Sequence, residues 1–447
     1  MKRNVIEELD AWKGSQARKP LLLQGARQVG KTYILKEFGK TRFDCMHYIN
    51  FEEDGRYGSA FAGKLAPKSI VSDLSLLLET PIHAETDLLV LDEIQQCPRA
   101  LTSLKYFAEE MPQLAICAAG SLLGVHLGEC SFPVGKIDEL HLFPMTFEEF
   151  LQAGEDRLLW ESFAEVHDLS TLTAVLHQRL WDELKLYLVT GGLPEVVATF
   201  AGMRANLFEA VQEVRCIQNR LVSEYIADMA KHCGKQNAMH IERLWRNVPA
   251  QLGRDQAGAA QKFVFRDVLP GIKGYERMAG TIDWLEAAGL LIRLPIINCG
   301  QLPFPAYEKE NFFKLFVFDI GLLGALGQLP VKTILDYEFG KYKGYYAENF
   351  VAQAFKASGR SNMACWREGS AEIEFVTDVD GTVIPVEVKS GWVTQAKSLK
   401  SFADKYQPRY SVVFSGRNAG WDPRLARCYY PLYLADKFPL KGPEDFK

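Results

Sequence analysis

The sequence predicts an α/β fold with one α/β region at each end of the chain. Two observations carry this prediction. Over residues 1–155 short apolar runs alternate with helical patterns, as in a parallel sheet covered on both faces. From about residue 340 the alternation returns, after a stretch in which apolar residues have mainly helical spacing. A chain of 447 residues has room for roughly two to four domains.

The composition is that of an ordinary globular protein. Hydrophobic residues make up 48% of the chain and charged residues 24%, and the formal net charge of −5 does not point to nucleic acid. The nine cysteines include no C-x-x-C pair, and the eight histidines form no cluster with metal-ligand spacing. We therefore expect reduced thiols, a cytoplasmic protein and no zinc site. No apolar run reaches the roughly 18 residues of a membrane span, so no membrane partner is expected.

The first motif is the segment Gly25–Thr32, which follows an apolar run and precedes a helical pattern. Its spacing, G-x-x-x-x-G-K-T, predicts a loop that binds the phosphates of ATP. Gly25 and Gly30 let backbone N–H groups turn toward a phosphate, Lys31 supplies a positive charge, and the Thr32 hydroxyl is an expected Mg²⁺ ligand. The predicted nucleotide-binding residues of the loop are Gly25, Ala26, Arg27, Gln28, Val29, Gly30, Lys31 and Thr32.

A second strand ends in two carboxylates. The apolar run Leu88–Leu91 leads directly into Asp92 and Glu93, and ligands of open α/β sheets bind at such carboxyl ends of strands. Asp92 is the expected outer-sphere partner of Mg²⁺, and Glu93 is the expected general base that polarises the attacking water. A solvated strand end is the alternative for the pair taken alone. The next strand ends at Ser121, which we expect to sense the γ-phosphate or to cap a helix.

These motifs together resemble a large prokaryotic family of AAA-type ATPases. The resemblance rests on GARQVGKT, LLVLDEIQ, AAGSLL and SFPVGKIDELHLFPMTFEEF, and it covers nearly the whole chain. It implies a P-loop AAA-type ATPase core with a helical lid, a C-terminal domain similar to PD-(D/E)XK nucleases, and a homo-oligomer. Lys136 stands where family members often have Arg. Arg27, Arg99 and Lys136 are the candidates for a residue that acts on a neighbouring subunit's nucleotide.

The middle of the chain is predicted to be mostly helical. Residues 156–235 are expected to form the lid, in which Arg215 and Arg220 are candidates for sensing nucleotide. Residues 236–335 contain helices followed by two strands, an order that suggests a winged-helix-like module for DNA. Its second helix is not basic, so a packing module is at least an equal alternative, and Gln256–Gln261 is expected to be a loop.

The C-terminal domain, residues 336–447, carries a candidate metal site. Glu374 lies on one predicted strand, and Glu387 and Lys389 end the next in an E-x-K pattern. With Glu348 from the preceding helix, this arrangement resembles a Mg²⁺-dependent nuclease, whose carboxylates hold the metal while the lysine steadies the attacking water. Glu374 replaces the more usual Asp, and a solvated hairpin is the alternative.

The sequence thus predicts an ATP- and Mg²⁺-dependent AAA-type ATPase whose nuclease-like domain binds or cleaves nucleic acid, with DNA as the expected partner. Two alternatives stay open. One is a signalling or defence switch, in which the C-terminal domain is an inactive fold that binds a partner. The other is a DNA-transaction motor that does not cleave. The expected domains are the ATPase core 1–155, the helical lid 156–235, the winged-helix-like module 236–335 and the nuclease-like domain 336–447.

Overall fold

The computed structural model describes residues 1–121, 132–170, 172–233, 235–254, 262–269, 271, 274–338, 340, 342–392 and 396–440. The predicted loop Gln256–Gln261 lies outside them. The chain divides into two compact units. The first is Met1–Phe143 with Ala287–Gly289, and the second is Pro144–Glu286 with Leu290–Lys447.

The first unit is built on a five-stranded parallel sheet. Its strands are β1 (Leu21–Gly25), β2 (Met46–Asn50), β3 (Leu88–Asp92), β4 (Ala115–Ser121) and β5 (Asp138–His141). They lie in the order β2-β3-β4-β1-β5. β1 and β3 are buried along their whole length, as expected of strands covered on both faces. The helices of this unit are α1 (Val5–Gly14), α2 (Lys31–Arg42), α3 (Pro67–Leu77) and α4 (Pro98–Glu110).

This strand order brings the two sequence motifs to one edge of the sheet. All pairs are parallel, and β4 lies between β1 and β3. Gly25 is paired with Ser121, and Asn50 with Asp92. The carboxyl ends that carry the loop, Ser121 and Asp92 therefore lie side by side, as the sequence predicts for a nucleotide site.

The chain after residue 143 begins with helices. They are α5 (Phe147–Ala153), α6 (Arg157–Ala164), α7 (Ala174–Thr190), α8 (Pro194–Met203), α9 (Leu207–Cys233), α10 (Lys235–Arg254) and α11 (Ala279–Ala287). Further helices follow at α12 (Ile320–Leu326), α13 (Val331–Leu335), α14 (Tyr342–Ala357) and α15 (Lys397–Tyr406). None of the helices in the described part of the chain has the length and apolar character to cross a bilayer.

The second unit also contains an eight-stranded mixed sheet. Its strands are β6 (Leu291–Ile297), β7 (Phe313–Val317), β8 (Met363–Glu368), β9 (Ala371–Val379), β10 (Thr382–Val388), β11 (Ser411–Ser415), β12 (Gly420–Asp422) and β13 (Arg427–Pro431). They lie in the order β12-β13-β11-β10-β9-β8-β6-β7. β9 and β10 form the antiparallel hairpin that the sequence predicts before the E-x-K pattern, and β8 pairs antiparallel with β9.

The strands expected to form a wing belong to this same sheet. β6 and β7 pair with each other as an antiparallel hairpin, and β6 also pairs in parallel with β8 through Ile296–Cys365 and Ile297–Trp366. Backbone hydrogen bonds therefore join the hairpin to the C-terminal strands. The structure does not confirm a separate winged-helix module, and the expected boundary after residue 335 falls inside the sheet.

The helical segment is tied to the C-terminal region by a buried turn. Gly191 ends α7 with φ +72°, and a Cβ at this position would lie 2.4 Å from Asp319 Oδ1. The next residue, Gly192, donates its N–H to Asp319 Oδ2 at 2.6 Å. Burial raises the pKa of Asp319 to about 6, although three backbone N–H groups oppose the shift. The predicted lid helices thus share a core with the segment that leads into α14, and a separate lid stays a prediction.

Candidate functional site

The backbone of the predicted phosphate loop has the shape that its glycines allow. Gly30 has φ +95° and ψ +22°, a left-handed conformation that favours glycine, and α2 begins directly after it. At Gly25 a Cβ would lie 2.3 Å from the carbonyl oxygen of Leu142, on the segment that follows β5. Any side chain at Gly25 would therefore push the loop away from its neighbour.

Lys31 is buried inside this loop. Its Nζ donates hydrogen bonds to the carbonyl oxygens of Gly25 at 2.9 Å and Ala26 at 2.8 Å. Burial lowers the pKa of Lys31 to about 8, against the opposing charges of Glu93 and Asp92. The ammonium group is thus hydrogen-bonded to backbone carbonyls, and it can turn from them to an incoming phosphate.

Asp92 is the centre of the hydrogen-bond network at the end of β3. Its Oδ2 accepts from Thr32 Oγ1 and from the Tyr48 hydroxyl, both at 2.7 Å, and its Oδ1 accepts from the Glu93 N–H at 3.0 Å. Burial and the Asp92 carboxylate raise the pKa of Tyr48 well above its ordinary value, which keeps the phenol proton in place as a donor. Sequence analysis missed Tyr48. Its only signal was a polar hydroxyl on the strand next to β3.

Thr32 and Asp92 fit a magnesium ion. They present two hard oxygen ligands in direct contact, one from the phosphate loop and one from the strand end. Because the donors around Asp92 are neutral, its charge remains available to a cation. The sequence prediction of this pair as Mg²⁺ partners agrees with their placement.

Glu93 has an unusual backbone conformation directly after β3. Its φ of +51° and ψ of +44° lie in the left-handed region, where a residue other than glycine is strained. Gln95 Nε2 donates a hydrogen bond to Glu93 Oε2 and so orients the carboxylate. Strained conformations cluster at functional sites, which agrees with the expected role of Glu93 as a base. Ser121 lies beside Gly25 in the strand register, but its side chain is outside the described part of the structure.

Arg3 contacts the backbone of the phosphate loop, a role that was not predicted from the sequence. It is 6% exposed, and its guanidinium donates to the carbonyl oxygens of Val29 at 2.9 Å and Phe143 at 2.7 Å. The first acceptor lies in the phosphate loop and the second follows β5. An arginine that precedes the first helix gives no sequence signal for such a contact.

The basic residues predicted to act on a neighbouring subunit's nucleotide, or to sense nucleotide from the lid, have contacts of their own. Lys136 pairs with Glu109 at 2.8 Å on the surface. Arg99 donates to the carbonyl oxygens of residues 61 and 63, so it has a structural role within its own unit. In the second unit Arg220 pairs with Glu195, and Arg215 donates to a backbone carbonyl at 3.4 Å. Their roles toward nucleotide stay predictions, as does that of Arg27.

Three of the C-terminal candidate residues, Glu374, Glu387 and Lys389, lie close together. Lys389 Nζ contacts Glu387 directly and lies 3.9 Å from Glu374 Oε1, while Glu374 Oε2 accepts from the Val388 N–H at 3.2 Å. Burial and the neighbouring Glu387 raise the pKa of Glu374, and burial raises that of Glu387. Because both carboxyls are pushed toward the neutral form, the pair favours a shared proton or a nearby cation.

A second lysine, which sequence analysis missed, lies in the same cluster. Lys314 on β7 is 5% exposed, and its Nζ contacts Glu348 Oε2 at 3.1 Å and Glu372 Oε1 at 3.0 Å. Burial would lower the pKa of Lys314, but the surrounding carboxylates outweigh it and raise that pKa well above its ordinary value. Burial raises the pKa of Glu348 to about 7. A lysine in the apolar strand FKLFV was a signal for a buried acidic partner.

This arrangement does not fit a Mg²⁺ ion held by all three predicted carboxylates. Glu348 is turned to Lys314, and Glu387 is turned to Lys389. Among the described residues, the only group of three or more potential ligands whose ligand atoms lie within 4.8 Å of one another is elsewhere, at Cys45, His47 and Asp87. One oxygen, Glu387 Oε2, is buried and accepts no hydrogen bond from the described chain.

Three family matches cover most of the chain. Residues 17–151 match the family described as AAA domain, and residues 182–333 and 343–431 match two families described as domains of unknown function. No curated protein matches the chain significantly.

Several solved structures are similar to the chain at low identity. The Walker-type ATPase of Pyrococcus abyssi is 16% identical, with a TM-score of 0.45, and the match covers 72% of this chain and 95% of that one. The Orc1 protein of Aeropyrum pernix in complex with DNA is 16% identical, with a TM-score of 0.31 and coverage of 74% and 92%. The RuvB Holliday junction branch migration motor of Thermotoga maritima is 15% identical, with a TM-score of 0.31 and coverage of 66% and 90%.

All three TM-scores are below 0.5, so these structures carry no conclusion about the chain. The family match and the geometry of the phosphate loop agree with each other. Residues 17–151 match an AAA-type ATPase domain and contain its phosphate-binding loop.

Proposed function

We propose that the chain hydrolyses ATP in a Mg²⁺-dependent reaction at the end of the first sheet. The observation that carries this proposal is the direct contact of Thr32 with Asp92, next to the buried Lys31. The loop N–H groups and Lys31 would bind the β- and γ-phosphates. Thr32 and Asp92 would hold Mg²⁺, which neutralises phosphate charge when it is bound.

Glu93 is the proposed general base. It follows the metal-binding strand, and Gln95 holds its carboxylate in one orientation. In this role it accepts a proton from the water that attacks the γ-phosphorus, and it returns that proton to solvent after the phosphate leaves. Ser121, at the end of the neighbouring strand, is the proposed contact to the γ-phosphate or to that water.

Two variants separate binding from chemistry. Lys31→Ala should abolish ATP binding, because the loop loses its only buried ammonium among the described residues. Glu93→Gln keeps the shape of the side chain, so it should bind ATP at the parent affinity and hydrolyse it about 10²–10⁴ times more slowly. Calorimetry and phosphate release measure the two properties. Hydrolysis by Glu93→Gln at the parent rate would remove Glu93 from the role of base.

For the C-terminal domain we infer a binding role without cleavage. The supporting observation is that Lys314 and Lys389 already neutralise the carboxylates that a nuclease would offer to its metal. DNA incubated with the protein and Mg²⁺ or Mn²⁺ should stay intact with and without ATP. Cutting that disappears in Lys389→Ala would restore the nuclease hypothesis.

The partner of this domain decides between the remaining alternatives. Strong stimulation of ATP turnover by DNA would favour a DNA-transaction motor, while turnover that ignores DNA would favour a signalling or defence switch. Because AAA-type sites are expected to be completed by a neighbouring copy, we also propose a homo-oligomer. A strictly monomeric mass at micromolar protein with ATP would contradict it.

A further inference from the structure

A group of metal-ligating side chains lies at the opposite ends of the strands from the ATP site. Cys45 directly precedes β2, and Asp87 directly precedes β3. Because Met46 pairs with Leu88, the two preceding residues are neighbours across the sheet. His47 is two residues after Cys45 and therefore on the same face of the strand. The ligand atoms of the three side chains all lie within 4.8 Å of one another.

Two of the three groups are buried and held in place. His47 is 4% exposed and Asp87 is 2% exposed, and His47 Nε2 lies 2.9 Å from Asp87 Oδ2. Asp87 also accepts hydrogen bonds from the His83 N–H at 2.8 Å and from Thr86 Oγ1 at 2.9 Å. Such supporting contacts fix the direction of ligating side chains in metal sites. The third group, Cys45, is a half-buried free thiol.

The spacing agrees with a tetrahedral transition-metal site. A nitrogen and an oxygen bound at about 2.0 Å to a tetrahedral Zn²⁺ lie about 3.3 Å apart, and a sulfur bound at about 2.3 Å lies about 3.5 Å from either. The observed nitrogen–oxygen distance of 2.9 Å and the 4.8 Å limit for all three pairs bracket these values.

We propose that Cys45, His47 and Asp87 bind one Zn²⁺ ion, with a water molecule as the fourth ligand. Thiolate, imidazole and carboxylate form a ligand set that selects zinc over magnesium or calcium. The ion would join the start of β2 to the segment before β3, at the end of the sheet away from the nucleotide. A plain buried His–Asp pair is the other explanation of the same contact, and it gives Cys45 no role.

Cobalt(II) provides the direct test, because thiolate coordination gives a charge-transfer band that carboxylates and imidazoles do not produce. Metal-free full-length protein without nucleotide would be titrated with Co²⁺ and then with Zn²⁺. We expect a thiolate-to-cobalt band that saturates at one equivalent and is bleached by Zn²⁺. Cys45→Ser should abolish the band. The matched control, Cys97→Ser, removes another half-buried thiol of the same unit and should keep it.

A second measurement uses the parent protein and does not depend on how Cys45→Ser folds. Because the thiolate is both the nucleophile and the metal ligand, one equivalent of Zn²⁺ should slow alkylation of Cys45 about tenfold or more, measured by mass spectrometry, and leave Cys299 unchanged. Absence of the charge-transfer band, its persistence in Cys45→Ser, or unprotected Cys45 would each overturn the proposal. The group would then be a buried His–Asp pair beside an unrelated thiol.

Discussion

The two acidic sites of the chain differ in what balances their negative charge. At the end of β3, Asp92 is held by the hydroxyls of Thr32 and Tyr48 and by a backbone N–H, all of them neutral donors. In the C-terminal sheet the ammonium groups of Lys314 and Lys389 contact the carboxylates directly. In the first site Asp92 accepts hydrogen bonds from neutral donors, and the nearby ammonium of Lys31 is bonded to backbone carbonyls, whereas in the second site ammonium groups contact the carboxylates directly.

This difference shows why motif-like residues alone do not define a reaction. Glu374, Glu387 and Lys389 have the order and spacing of a nuclease site, and the structure brings them together. Their chemistry, however, depends on Lys314, which comes from a strand about sixty positions earlier in the chain. Taking ions out of water costs several kcal/mol per ion, so a buried ionic cluster adds little net stability. Its main effect is to favour the one arrangement of strands in which all its charges are paired.

The largest expected effect comes from removing the internal cation. Lys314→Met should lower the free energy of unfolding of the second unit by about 3–5 kcal/mol, because the buried Glu348 and the partly buried Glu372 would be left without a counter-charge. Lys389→Met is the comparison, and it should cost much less because Lys389 is about a third exposed. Urea unfolding, with hydrogen exchange of β7 and β9, measures the difference.

A double variant shows whether charge is the cause. Adding Glu348→Gln to Lys314→Met removes one of the stranded carboxylates, so it should recover part of the lost stability. Equal costs for Lys314→Met and Lys389→Met would show that the cluster is not a closed ionic network. The two acidic sites would then be more alike than their contacts indicate.

The sequence predicts the ATP site well because that site is local. The residues from Gly25 to Lys31 form one loop, and Asp92 and Glu93 stand at the end of a fully buried strand. The parallel order then brings these short segments to one edge of the sheet. The apolar runs before the loop and before Asp92 form β1 and β3, and the helical pattern after the loop forms α2.

The missed residues act across long stretches of the chain. Arg3 braces Val29, Tyr48 binds Asp92, and Lys314 neutralises Glu348, and no spacing rule connects such positions. The separate winged-helix module is not confirmed for a similar reason. The sequence indicates the two strands of the hairpin because they are adjacent in the chain. It does not indicate the third strand with which the hairpin pairs, here β8, because packing decides that pairing.

The next largest effect is expected from the neutral donors of the ATP site. Tyr48→Phe removes one hydrogen bond to Asp92 and keeps the ring. Since hydrogen bonds to charged groups contribute about 1.5–3 kcal/mol, kcat/KM for ATP should fall by roughly tenfold to a hundredfold. Tyr106→Phe, on α4, is the control and should leave kcat/KM unchanged. An unchanged rate for Tyr48→Phe would mean that Thr32 and the Glu93 N–H hold Asp92 without help.

The smallest expected effect concerns the protonation of Lys31 before ATP binds. The lowered pKa of Lys31, about 8 in the free protein, means that its protonated fraction falls from about nine-tenths at pH 7 to about one-tenth at pH 9. Phosphates are almost fully ionised in this range, so the affinity for ATP should fall about tenfold between these pH values. Lys31→Arg, which stays charged, should bind ATP with little change in affinity over the same pH range.

Calorimetry in buffers of different ionisation enthalpy adds a second readout, because ATP binding at pH 8.5 should take up protons from the buffer. A flat affinity for the parent, without proton uptake, would show that the buried ammonium keeps its charge on the backbone carbonyls alone.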